Sequence, residues 1–131
     1  MMARLLPYIL VGLGGFIGAN ARFIVARGIA SAFDTRFPLG TFLINVSGSF
    51  LLGILGAVAA EKSSAASDAM RLSLGVGFLG AFTTFSTFEF ETHSLLNDGA
   101  WVPAIGNVVA SVLIGLLAVR AGIVVARMWV A

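Results

Sequence analysis

Residues 77–88, GFLGAFTTFSTF, place the hydroxyls of Thr83, Thr84, Ser86 and Thr87 within five positions, with Thr92 just beyond. Phe82, Phe85 and Phe88 alternate with them at a spacing of three, which on a continuous helix stacks the rings along one side. A hydroxyl donates a hydrogen bond without carrying charge, and a phenyl ring has a negative face and a positive edge. An anion would seek the ring edges and the O–H groups, whereas a cation would seek the faces. An ordinary aromatic packing stripe is the plainer account of the Phe spacing, and the flanking hydroxyls are what favour an ion path. A serine or threonine can bond back onto the preceding helical turn, but this many hydroxyls behind Gly77 and Gly80 point to a local break. At membrane depth a break frees backbone carbonyls and N–H groups. That is tolerated only inside a protein or beside water, where such groups commonly bind ions.

Other polar candidates lie in apolar surroundings. Asn45, Ser49, Gly53, Gly56 and Ala60 fall on one helical face, as do Asn107, Ser111, Gly115, Ala118 and Gly122, and as do Gly14, Gly18 and Arg22. The glycines read as packing positions, since helices in lipid associate through small residues. Asn45 and Ser111 read either as interhelical hydrogen-bonding glue or as the lining of a water-filled path. Arg22, near the end of its apolar run, either snorkels to the interface or sets positive potential at a vestibule for an anion.

The elements that must position these residues are helices in a bilayer. The chain has 131 residues, 59% hydrophobic and 11% charged, with a mean hydropathy of +1.02. So little polar surface calls for lipid as solvent. A hydrocarbon core of about 30 Å needs roughly 20 helical residues. Four spans are predicted, at 5–27, 39–60, 71–94 and 101–128, in one membrane domain covering 1–131. AFDTRFP, EKSSAASD and NDGAWVP connect them, and Trp101 and Trp129 bracket the last as interfacial anchors. The stretch after Arg4 has a basic start, but it continues into FIGANA without a convincing cleavage site, so a retained first span is expected. The net charge of +2 is scattered, which argues against nucleic acid as a partner. There is no cysteine, hence no disulfide or thiolate chemistry. Arg4, Lys62, Arg71 and Arg127 fall on one side of the four spans, against Arg27 and Arg36 on the other. That bias is weak enough to allow either a single orientation or insertion both ways with antiparallel pairing.

GTFLINVSGSF (40–50) and GFLGAFTTFSTF (77–88) resemble the two signature segments of the Fluc family of fluoride channels, also called CrcB-like proteins. GGFIGANARF (14–23) is similar to that family's first-span segment, and the resemblance extends over essentially the whole chain. It implies an all-α integral membrane protein with four transmembrane helices, the third broken at TTFSTF, assembled as an antiparallel dual-topology homodimer. It also implies passive, fluoride-selective efflux that lowers cytoplasmic fluoride, no enzymatic activity, and residence in a prokaryotic plasma membrane (the inner membrane if Gram-negative). By resemblance, Asn45, Phe85, Ser86, Thr87, Phe88 and Ser111 belong to the fluoride pathway. Gly80 and Thr83 give backbone carbonyls to a structural Na+ at the dimer centre. Two positions depart from the family pattern: Ala81, where a second glycine is usual, and Asn107, where several members have tyrosine.

The chemistry of the residues fits that implication. Fluoride is small and strongly hydrated, so a path must offer many donors, while a fixed cation in it would hold the ion too tightly. A proton-coupled drug exporter would need a carboxylate at membrane depth in the first or second span, and none is there. A non-transporting assembly subunit would explain the small-residue faces but not the phenylalanines beside hydroxyls. For an enzyme, the lone His93 near a span end lacks any nucleophile or metal constellation.

Overall fold

The computed structural model describes residues 2–61 and 64–130; Lys62, counted in the charge bias, and the chain ends lie outside them. All regular structure among the described residues is helical. Among the described residues three helices are long and apolar enough to cross a membrane: α1 (Met2–Ala32), α2 (Leu39–Glu61) and α6 (Trp101–Val130). They outrun the spans drawn from the sequence, because a helix can continue past its apolar run into the headgroup zone. Their outer surfaces carry exposed Phe16, Phe23, Leu116 and Leu117, the side chains expected to meet lipid.

The chain between α2 and α6 is built differently. It comprises α3 (Ala65–Met70), a π-helical stretch (Arg71–Leu79), α4 (Gly80–Phe82) and α5 (Phe85–Asn97). Between α4 and α5 the backbone is extended, at φ −79° and ψ 158° for Thr83 and φ −150° and ψ 118° for Thr84. Sequence explains each end of α5. Thr84 is its N-cap, accepting the Thr87 N–H at 3.3 Å on its hydroxyl. At the other end Gly99, at φ 71°, takes the left-handed conformation that closes a Schellman motif. Gly99 N–H bonds Leu96 O at 3.1 Å, Ala100 N–H bonds Leu95 O at 2.8 Å, and Leu95, Ala100 and Ala104 pack as a small apolar cluster.

The π-helical stretch packs on α1, and α2 packs on α6. Glycine permits both approaches. A Cβ on Gly14 would fall on Ser73 O and one on Gly18 on Phe78 O, while one on Gly53 would fall on Val119 O and one on Gly122 on Phe50 O. With no apolar driving force between helices in lipid, such close backbone contact is the main source of association. Arg71 ties the two halves together by donating to Ala59 O, near the end of α2, at 2.7 Å.

Candidate functional site

The interruption at Thr83–Thr84 is held by α2. Asn45 Nδ2 donates to Thr84 O at 3.0 Å, and Thr84 N–H donates to Asn45 Oδ1 at 2.8 Å. One side chain therefore pairs both backbone groups of the residue that leaves the helix. One turn further along α2, Gly48 makes room for the break: a Cβ there would fall on Thr83 Cγ2. Thr83 itself bonds back onto the end of the preceding segment, through its N–H at 3.0 Å and its hydroxyl at 2.9 Å, both to Leu79 O.

This diversion of donors releases two carbonyls. In an unbroken helix Thr84 N–H would bond Gly80 O and Thr87 N–H would bond Thr83 O. Here those N–H groups go to Asn45 Oδ1 and to Thr84 Oγ1. Gly80 O and Thr83 O are thus freed from helical partners, and both residues border the same cleft. Neutral carbonyl oxygens are the ligands a hard cation such as Na+ prefers, so the donor chemistry of this pair fits the ion that the resemblance implies. Ala81, between them, keeps helical angles in α4, and no residue other than glycine has positive φ among the described residues. The methyl that replaces a hydrogen there brings no backbone strain.

The cleft has a volume of about 340 Å³. Asn45, Gly80, Thr83, Phe85, Phe88 and Ser111 all line it, joined by Gly48, Ser49 and Thr84, and among the described residues no lining side chain is charged. Asn45 spends one amide hydrogen on Thr84 O and retains a second donor. The rings of Phe85 and Phe88 pair with centroids 5.7 Å apart and planes tilted by 41°. Phe82 does not extend them into one stripe. It lies before the break and stacks on Phe78 instead, at 5.6 Å and 8°, because the extended residues re-aim the helix that follows. The expected three-ring face is corrected to two separate pairs.

Three residues singled out from the sequence stand outside this lining: Ser86, Thr87 and Arg22. Ser86 is exposed, Arg22 is half-buried on α1, and Thr87 supports the cap, its hydroxyl oxygen accepting from Thr84 Oγ1 at 2.9 Å. Conversely, the structure gives partners to polar groups that the sequence reading did not assign to the pathway. Buried Thr41 donates to Glu91 Oε1 at 2.9 Å, while the other carboxylate oxygen of Glu91 is buried without a partner. Asn107, 1% exposed, joins Ser111 to Thr92 across α6 and α5. Once the start of α5 is fixed at Thr84, its residues Phe88, Glu91 and Thr92 fall on one face with that cap.

Comparison with known proteins follows the same outline. Residues 9–123 match the family described as CrcB-like protein, Camphor Resistance (CrcB). A protein of Chloroflexus aurantiacus named fluoride-specific ion channel FluC is 44% identical over 117 residues, covering 89% of this chain and 92% of its own. One of the same name from Hydrogenovibrio crunogenus is 47% identical, covering 92% and 90%. Another from Solibacter usitatus is 40% identical, covering 93% and 99%. Three apolar helices of spanning length and bacterial relatives with ion-channel names mark a multi-pass prokaryotic membrane protein.

Proposed function

The chain belongs to the CrcB-like family, and from that membership and the cleft at the helix interruption we propose that it is a fluoride-selective channel giving passive efflux. The observation that carries the reading is the convergence of Asn45, Phe85, Phe88 and Ser111, from three helices, on one uncharged cleft. An amide N–H, hydroxyls and aromatic edges can stand in for the water of a small anion, and without a fixed cation the ion is also free to leave. Fluoride that enters a cell as the neutral acid and is trapped as the anion would leave by this route, so the protein acts as a channel rather than an enzyme.

In this reading residues 71–97 make the third of four crossings, broken at Thr83–Thr84, and the functional unit is an antiparallel homodimer. The single chain supports that assembly by leaving the cleft half built, with the Phe85 ring 71% exposed at its edge. A second copy would close it. The carbonyls of Gly80 and Thr83, doubled by the partner, would hold a structural Na+, which when bound supplies positive field close to the anion route. Ser86 and Thr87 contribute polar groups beside the rings, and Arg22 sets positive potential near one mouth.

Purified protein in liposomes loaded with fluoride tests the proposal. Efflux on addition of a K+ ionophore alone, with chloride retained, is the expected result. Efflux that demands a proton gradient, or chloride flux of equal size, overturns it.

A further inference from the structure

We propose that Asn107 is a positioning residue that fixes the direction of the Ser111 hydroxyl, so that at rest Ser111 shows the cleft its lone pairs and not its proton. The inference rests on the channel reading and concerns how one wall of that path is set. It comes from a chain of hydrogen bonds whose far end admits one polarity. Thr92 Oγ1 lies 2.7 Å from Phe88 O, and a carbonyl can only accept, so the Thr92 hydroxyl hydrogen points there. Thr92 Oγ1 must then accept from its other neighbour, 2.8 Å away, which turns the NH2 end of Asn107 towards it. The remaining end of the buried amide, Oδ1, faces Ser111 Oγ at 3.3 Å and can be satisfied only by a donor. Ser111 has one hydroxyl hydrogen, and the chain consumes it.

The consequence bears on the anion route, because Ser111 lines the cleft with Asn45 and the paired rings. A hydroxyl whose proton is committed elsewhere offers an anion only oxygen lone pairs. To donate, it must turn away from Asn107 and leave a buried amide oxygen bare. Asn107 thereby acts as a brake on this donor, through Ser111 and without lining the cleft itself.

Fluoride efflux from proteoliposomes in a double-mutant cycle tests this. Asn107→Leu keeps the branched shape, at greater volume, and removes the acceptor, so it should change flux about 2- to 10-fold, upward, the span at equilibrium of one neutral hydrogen bond. In a Ser111→Ala background the same substitution should leave flux within about 1.5-fold, since interaction between sites in one network appears as non-additivity. Thr92→Val provides a second route, acting even if Asn107→Leu assembles poorly. It removes the anchor, lets the amide turn its NH2 towards Ser111, and should also raise flux only where Ser111 is present. Equal factors with and without Ser111, or no change in either variant, would show that Asn107 merely ties α6 to α5 and would overturn the inference. A wild-type protein that carries no fluoride overturns the channel reading itself, whereas a conducting wild type with an additive cycle overturns this inference alone.

Discussion

Asn45→Ala should weaken the fold as well as the flux, because the side chain supports the backbone at the break in addition to facing the cleft. The substitution deletes two hydrogen bonds, of 3.0 and 2.8 Å, from the N–H and C=O of Thr84. Thr84 N–H has no helical partner to fall back on, and a part-buried donor left bare costs about 1–3 kcal/mol, whereas Thr84 O, as the N-cap carbonyl, stays placed to accept the first bond of α5. With about 0.5–1.5 kcal/mol more for the net hydrogen bond lost at the carbonyl, the change costs roughly 1.5–4.5 kcal/mol, the lower end favoured because water can reach the open cleft. A loss of about 2 kcal/mol shifts the unfolding equilibrium roughly 30-fold, at about 1.4 kcal/mol per factor of ten. Asn45→Asp should behave differently in kind. It keeps an acceptor for Thr84 N–H but sets a carboxylate oxygen against Thr84 O, where the amide donor stood, and it repels an anion when ionised. Denaturant unfolding in detergent, with limited proteolysis around Thr83–Phe85, reads the stability, and liposome efflux reads the flux. Wild-type stability and protection in Asn45→Ala would refute the bracing role, even with conduction lost.

Phe85→Met and Phe88→Met separate packing from ion contact. Volume-conserving apolar swaps usually cost under about 1.5 kcal/mol, so the elution volume in size-exclusion chromatography should match wild type while efflux falls, most in the double variant. Full flux in that variant would reduce the pair to filler. Thr84→Ala removes the α5 cap and should destabilise the protein by about 0.5–2 kcal/mol, measurable as a lower unfolding midpoint, and Thr84→Ser should restore it. Gly53→Leu drives a side chain into the α6 backbone at Val119. Overpacking of this kind costs typically 1–3 kcal/mol or more, whereas Gly56→Ala, with nothing within 4 Å of the new methyl, should unfold like wild type.

Much of this architecture can be read from composition and spacing, and the unread part has a physical cause. Long apolar runs specify α1, α2 and α6 directly, since hydropathy measures transfer into lipid and needs no knowledge of neighbours. The cluster Thr83, Thr84, Ser86 and Thr87 signals trouble for a helix, but which peptide leaves it depends on Asn45, 39 residues earlier. That coupling is tertiary and invisible to local pattern. It also undoes the apparent Phe82–Phe85–Phe88 periodicity, which assumes an unbroken 3.6-residue turn. Asn45 and Ser111 were visible as isolated polar residues in apolar runs. Asn107 was visible on the same face as Ser111, but its bonds to Thr92 and Ser111, like the pairing of Thr41 with Glu91, were not, because they depend on which residues meet across helices. The glycine faces read as packing, and Gly14, Gly18, Gly53 and Gly122 have that role.

The brace between Asn45 and Thr84 has a consequence for biogenesis. At 1.5 Å per residue, the 13 residues of α5 reach only about 20 Å. They fall short of a hydrocarbon core of about 30 Å. An inserting segment that ends in two extended residues would carry bare peptide groups into lipid. α2 leaves the ribosome first, so Asn45 is already in the membrane when Thr84 arrives, and the acceptor and donor that the break requires are waiting for it. Chain order thus works as an assembly instruction. A permuted gene in which residues 64–100 are made before α2 should yield protein that inserts poorly or is degraded, although every contact of the finished fold remains possible.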